Sequence, residues 1–360
     1  MQQEISEFLE TMLTVEPRNY QLRIIAGCLA AIAQNRSVII ESPTGSGKTL
    51  MGLALASFLQ KRDGFRVGWC TMRRTLLEQA ELARIQYGIN LDVHYFTIYE
   101  KNPPEVDLLI VDEAHHDAAD TMVDLHAMIK PKKVIGLSAT PFRSDKLGLF
   151  FERVVREASM PELIRDGHLA NYDHFMLPIY TPQAVVDAYL YDRDRWGKSL
   201  MFFHRNEQCL EAMRLLEMRG ISCTMITAGS AQDRQIQDFR LGIYTVAIGM
   251  MVLTEGCDVP DLQSVFVKPS VQLLTIQMSG RVLRCYNDRV KNIIQSVNTP
   301  FSFTNAAPCR HRYVLKSGSW HKLDTSKVIN SMCRSNQRST LAHKLTRART
   351  VRRLARRVLE

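Results

Sequence analysis

The segment Ser42-Pro-Thr-Gly-Ser-Gly-Lys48-Thr49 constrains this chain more than any other. It follows a short β-branched run, Ser37-Val-Ile-Ile-Glu41, and opens a helical stretch from Thr49 to Gln60 that stops before Gly64. A strand that turns through glycines straight into a helix begins a βαβ unit, and such units build parallel sheets covered on both faces. Gly45 and Gly47 let backbone N–H groups turn inward, and the helix N-terminus adds partial positive charge. With Thr44 and Ser46 they form a cradle for phosphate oxygens. Lys48 is placed to neutralise those oxygens and the Thr49 hydroxyl to hold Mg²⁺. Ser42 stands where the simplest form of the motif has glycine.

The strand–helix alternation continues through the chain. Phe65–Cys70, Val106–Val111 and Lys133–Leu137 read as further buried strands. The pattern pauses between residues 155 and 195, where Pro161, Pro178 and Pro182 fall. It restarts with a strand at Ser199–Phe203 and a helix at Glu207–Arg219. Strands at Ile221–Ile226, Thr245–Gly249 and Ser264–Val267 follow. The expected class is α/β, with two tandem parallel-sheet domains at residues 1–170 and 180–300, then a basic, mostly helical tail at 301–360.

The tail matters because the charge is uneven. Of the formal net charge of +9, residues 301–360 contribute 14 Lys+Arg against only Asp324 and Glu360, while residues 1–300 hold 32 basic and 35 acidic side chains. A basic tail on a near-neutral body suits a polyanionic partner. Within it, Leu341, Leu345, Ala348, Val351, Leu354, Ala355 and Val358 recur at helical spacing among arginines. That pattern fits a partner-protein helix, a nucleic-acid arm or a membrane-surface helix. The longest strongly apolar stretch, Leu50 to Leu59, is about half of the ~20 residues a membrane span needs, and no membrane partner is expected. The eight cysteines are scattered with no C-x-x-C pair. With no signal-peptide pattern at Met1, they point to a reducing, cytoplasmic setting.

A second motif extends the chemistry. Asp112-Glu113-Ala114-His115 follows the strand Val106–Val111. A carboxylate at a strand's C-terminal end suits a second Mg²⁺ contact, held by Asp112, with Glu113 beside it to polarise a water. His115 and His116 are adjacent and so do not share a helix face as zinc ligands four apart do.

With these two motifs the chain resembles a superfamily 2 helicase of the DEAH-box kind over roughly residues 16–285. The further motifs come in that family's order. Arg18-Asn-Tyr20-Gln21 resembles the upstream element whose glutamine reads adenine. Thr71-Met-Arg-Arg74-Thr-Leu-Leu77-Glu-Gln79 resembles motif Ia, and Phe96-Thr97 a further nucleic-acid backbone contact. Ser138-Ala139-Thr140 resembles motif III, which couples hydrolysis to strand engagement. Leu253-Thr254-Glu255-Gly256-Cys257-Asp258-Val259-Pro260 is similar to motif V, and Gln277-Met-Ser-Gly280-Arg281-Val-Leu-Arg284 to motif VI.

The resemblance implies two RecA-like domains with ATP and Mg²⁺ in the cleft between them. Lys48, Asp112, Glu113, Gln277, Arg281 and Arg284 carry the catalysis. Arg18, Gln21, the loop from Thr44 to Thr49, Asp112, Gly256 and Asp258 bind the nucleotide, with Thr49 and Asp112 on the metal. Arg74, Thr97 and Thr254 contact nucleic acid, and His115, Ser138 and Thr140 couple the two sites. Arg281 and Arg284, three apart on a helix, are expected to face the same way. Asp112-Glu-Ala-His-His116 with Gly136–Arg143 looks like the compact bacterial and phage-encoded branch of DNA-repair and recombination helicases, with a monomeric core. The implied function is an ATP-driven DNA helicase or translocase. An RNA-remodelling ATPase and a slowly hydrolysing nucleic-acid clamp stand as alternatives.

Overall fold

The computed structural model describes Phe8, Thr14 and residues 16–114, 119–139, 151–227, 230–250 and 259–323. The expectations placed on His115, Thr140, Thr254, Gly256, Asp258 and the helix at 341–360 lie outside the described residues. Among the described residues no helix is long and apolar enough to cross a membrane.

Two sheets organise the chain. The first holds β1 (Ser37–Glu41), β2 (Val67–Thr71), β3 (Val93–Thr97), β4 (Leu108–Asp112), β5 (Lys133–Ser138) and β6 (Arg153–Val155), in the order β3-β2-β4-β5-β1-β6. All its pairings are parallel. β2 and β4 are buried along their whole length, as a sheet covered on both faces requires.

The helix Lys48–Asp63 is packed inside this domain, with Met51 through Leu59 buried. It starts on Gly47 and ends on Gly64, both left-handed, and Gly64 N–H closes back onto the Gln60 carbonyl. Lys61 and Arg62 in its last turn complement the helix dipole. A Cβ on Gly52 would lie 2.7 Å from Leu137 Cδ1, so only glycine lets this helix press so closely on the sheet.

The second sheet is larger than the sequence suggests. It contains β7 (Tyr172–Leu177), β8 (Ser199–Phe202), β9 (Cys223–Ile226), β10 (Val246–Gly249), β11 (Ser264–Phe266), β12 (Lys291–Ser296), β13 (Arg312–Lys316) and β14 (Ser319–Lys322). Their order is β14-β13-β7-β12-β11-β8-β10-β9, parallel except for the terminal hairpin β13–β14.

Two sequence expectations therefore shift. Tyr172–Leu177 falls where the linker between 170 and 180 was drawn, yet it is a buried strand paired with β12. Residues 312–322 fall in the expected tail, yet they extend the same sheet. The physical cause is aromatic packing. Tyr313 stacks on Phe175 at 4.6 Å, and Trp320 meets Phe175 edge-on at 5.1 Å and Trp196 at 5.7 Å. Such rings anchor a strand pair that would be marginal alone.

Candidate functional site

Parallel pairing carries the sequence motifs to one edge of the first sheet. Glu41 pairs with Ser138 and Asp112 with Leu137, while Thr71 pairs with Thr97. The C-terminal ends of β1, β4 and β5 thus present Ser42, Asp112 and Ser138 together, and Ser42 N–H donates to the Ser138 carbonyl at 3.0 Å. Loops outside the carboxyl ends of strands are where open α/β sheets bind ligands.

The glycine loop is pinned from behind. Gly45 and Gly47 both have φ +83°, a conformation that side chains other than glycine rarely adopt. The Ser42 hydroxyl donates to Ser46 Oγ at 2.7 Å, which gives Ser42 a structural use at its motif position. Tyr20 hydroxyl and Gln21 Nε2 both donate to the Ser46 carbonyl, at 2.6 and 3.0 Å. Gln21 Oε1 in turn accepts the Arg18 backbone N–H at 2.9 Å. Arg18 Nη1 reaches the His168 carbonyl at 3.4 Å, and the His168 ring lies 5.0 Å from that of Tyr20. Arg18 and Gln21 therefore sit together behind the loop.

In front of the loop lies a cleft of about 630 Å³, a size suited to a small-molecule ligand. Thr44, Gly45, Gly47, Lys48 and Thr49 line it from the loop, Asp112 and Glu113 from the end of β4, and Arg281 and Arg284 from the second domain. The sequence reading places Arg281 and Arg284 on a helix. The helix Gln272–Gly280 stops one residue short of Arg281, and both arginines reach the cleft from the turn that follows. Gly280, flanked by a capping Arg281, brings that turn against the loop. Gln277 is buried within the helix.

Burial and neighbouring charges shift two titratable groups of the cleft in opposite directions. Burial pushes the Lys48 ammonium down from its ordinary pKa, and the neighbouring Glu113 and Asp112 oppose this. Burial, then the Glu113 charge, pushes Asp112 well above the usual carboxylate range, against the pull of Lys48. A bound polyphosphate would favour the charged form of Lys48, and a hard cation would favour the ionised form of Asp112. The Thr49 hydroxyl and the Asp112 carboxylate share the cleft, and these oxygen donors fit Mg²⁺, which takes one or two protein ligands plus phosphates. Glu113 is held at φ +53°, with its N–H donating to Asp112 Oδ1 at 3.0 Å. For a non-glycine residue this conformation costs about 1–3 kcal/mol and concentrates at functional sites.

Arg74 begins the helix Arg74–Gln86 and lines a second, more open cavity of about 660 Å³. Arg73 and Thr75 line it on the same side, and Ser230 to Arg234 line it from the second domain. Thr97 ends β3 beside Thr71. The structure thus gathers Lys48, Thr49, Asp112, Glu113, Arg281 and Arg284, places Arg18 and Gln21 behind them, and sets Arg74 and Thr97 apart. Sequence reasoning missed Tyr20 as a support of the loop and Arg240 and Pro260 as lining of the main cleft. Arg240 ends the helix Gln232–Arg240, and no local pattern marks it as different from other surface arginines.

Two α/β domains with a phosphate-type loop and converging arginines define the class of two-sheet nucleotide-cleft proteins, and comparison with known proteins sets the family. Residues 14–102 and 94–143 match the model described as type III restriction enzyme, res subunit, and residues 181–286 match the helicase conserved C-terminal domain. The chain belongs to superfamily 2 of the helicases.

It is 25% identical over 295 residues to the 51.5 kDa protein of a Lactococcus phage, covering 72% of this chain and 65% of that one. It is 24% identical over 343 residues to "Putative ATP-dependent helicase IRC3" of Saccharomyces cerevisiae, covering 76% of this chain and 50% of that one. The chain therefore spans half to two-thirds of the length of these relatives. Among solved structures it resembles the ATP-dependent Type ISP restriction-modification enzyme LlaBIII bound to DNA, with TM-score 0.61, 17% identity and coverage of 84% of this chain and 28% of the other. It also resembles S. cerevisiae Dbp5 bound to RNA and ADP BeF3, with TM-score 0.58, 18% identity and coverage of 78% and 84%. These structural likenesses confirm the two-sheet fold expected from the sequence.

Proposed function

We propose that this chain is a nucleic-acid-dependent ATPase that moves along or remodels DNA. One observation carries the reading: Lys48, Asp112 and Glu113 of the first domain share a single cleft with Arg281 and Arg284 of the second. A triphosphate seated on the Thr44–Thr49 loop bridges the two domains. Lys48 neutralises its terminal oxygens, and Thr49 and Asp112 would hold Mg²⁺, which when bound would supply charge neutralisation for phosphoryl transfer. Glu113 orients and deprotonates the attacking water. Arg281 and Arg284 stabilise charge on the transferring group and sense its departure. Loss of the γ-phosphate removes what the arginines grip, so hydrolysis loosens the domains and changes their hold on a strand.

DNA is favoured over RNA because the first-domain model is that of restriction-enzyme subunits and because LlaBIII, a structural neighbour, is bound to DNA. The His115 position and Gln277 at the start of motif VI agree with the DNA-repair branch of the DEAH-box kind. An RNA substrate is the second reading, supported by the likeness to Dbp5 bound to RNA.

The test is steady-state ATP hydrolysis alone and with single-stranded DNA, duplex, forked DNA and matched RNA, with Lys48→Ala as the blank. Stimulation by DNA, greatest on forks, is expected. Stimulation by RNA alone replaces DNA with RNA as the substrate. No stimulation by any of them overturns the motor.

A further inference from the structure

Away from the cleft, the β13–β14 hairpin concentrates positive charge that the motifs do not use. From Arg289 to Leu323 the chain contains no Asp or Glu. Four basic side chains of that stretch, Arg310, His311, Arg312 and Lys322, line one open cavity of about 460 Å³. This cavity shares no lining residue with the nucleotide cleft.

Among the described residues one acid, Asp173, is in hydrogen-bond contact with the group. Asp173 of β7, buried, takes Arg310 Nε and Nη2 at 3.2 Å each. That fork fixes the Arg310 plane and leaves its Nη1 hydrogens unshared with the carboxylate. Among the described residues, Arg312 and Lys322 have no carboxylate within salt-bridge distance. Arg312 and Lys316 lie on the same strand face, roughly 13 Å apart at strand spacing. That matches about four base steps of duplex rise.

A basic run is usually a solvated face, but here the charges ride on a fixed platform. Tyr313 and Trp320 dock the hairpin onto Phe175 and Trp196. Groups held in place lose little freedom when they bind. Charge, hydrogen-bond donors and an open mouth select a polyanion and disfavour an apolar ligand.

We propose that the hairpin cavity is a second binding site for the phosphodiester backbone of nucleic acid, gripping a stretch beyond the part held across the two domains. The inference rests on the reading of the chain as a nucleic-acid motor. It gives the motor a contact that does not open and close with the nucleotide, because all the lining residues belong to the second domain.

The test is fluorescence anisotropy with a labelled DNA duplex and the matching single strand, across salt from about 50 to 200 mM. Arg312→Ala with Lys322→Ala should lower the slope of log affinity against log salt by about two and weaken binding roughly tenfold. Arg312→Lys with Lys322→Arg should restore both. Lys316→Glu, at an exposed position of the hairpin, should weaken binding in the same direction. ATP hydrolysis without nucleic acid should be unchanged in all of them. Unchanged slope and affinity in the double alanine variant, with a wild-type melting midpoint, overturn the site while leaving the motor intact. Wild-type protein that binds no nucleic acid overturns the motor and the site together.

Discussion

Gly280 of the second domain lies against Thr44 of the nucleotide loop, and a Cβ at Gly280 would sit 3.2 Å from Thr44 Cβ and 3.4 Å from its hydroxyl oxygen. On the other flank, Gly45 packs near Leu169 and the Arg284 stem. Two glycines thus set how closely the arginine turn approaches the Thr44–Thr49 loop. Gly280→Val should hold the domains apart by its added volume. Nucleotide binding to the loop should fall only a few-fold, while turnover falls by about 10²-fold, since a misplacement near 1 Å costs that much. Equilibrium binding of a fluorescent ATP analogue beside steady-state turnover separates the two effects.

Glu113 is expected to combine strain with function. Glu113→Gln keeps the size and hydrogen-bonding shape but removes the base, so hydrolysis should drop by about 10²–10⁴ with nucleotide binding retained. Glu113→Gly should also abolish turnover, yet raise unfolding stability by about 1 kcal/mol through relief of the positive φ. Single-turnover hydrolysis and urea unfolding on both variants check this. A glycine variant less stable than the wild type would mean that the backbone at Glu113 is not strained.

Arg281 and Arg284 should not be interchangeable with lysine. A lysine carries charge but lacks the planar fork that matches phosphate oxygens. Arg281→Lys and Arg284→Lys should each lower turnover by about 10²-fold or more, and the alanine variants by about 10³–10⁵. Nucleotide affinity should move little, because the first domain supplies the loop, Lys48 and the metal ligands. Rates near wild type in either lysine variant would show that the charge alone is needed.

The strands that read cleanly in the sequence are those whose residues are apolar for their own sake. Ser37–Glu41 matches the expectation residue for residue, and Lys133–Ser138 differs by one. Each is a short β-branched run buried between helices. Tyr172–Leu177 escaped because it carries Asp173 and His174, polar residues buried through specific partners, Arg310 and Gln295. Those partners lie more than a hundred residues away, so no local window contains them. β13 and β14 escaped for a related reason. Their stability comes from Phe175 and Trp196, and in sequence they look like part of a basic tail. The nucleotide loop was legible because its chemistry needs consecutive residues. Arg240 was not, because it joins the site only through folding. Tyr20 and Pro260 stand inside sequence motifs, while their roles as loop support and cleft lining show only in the fold.

His174 gives the second sheet an acid sensitivity. Its Nε2 lies 3.0 Å from Gln295 Oε1, which also accepts the Phe303 N–H at 2.8 Å. The glutamine oxygen is thus an acceptor, so the neutral ring donates from Nε2 and its Nδ1 is left bare. Nδ1 is buried with no hydrogen-bond partner among the described residues. Burial pushes the pKa down to about 4, and Arg312 nearby adds to the depression while Gln295 opposes it. In the unfolded chain the ring titrates near its ordinary value of about 6.5. Between these two values the unfolded state binds a proton that the folded state refuses. Stability therefore rises with pH across that window and is lost as pH falls from about 6.5 toward 4, by about 3 kcal/mol in all. Urea unfolding of wild type and His174→Gln at pH 4.5, 5.5 and 7, roughly spanning the window, measures the slope. The variant should show a flatter dependence, and equal slopes in both proteins would remove His174 as its source.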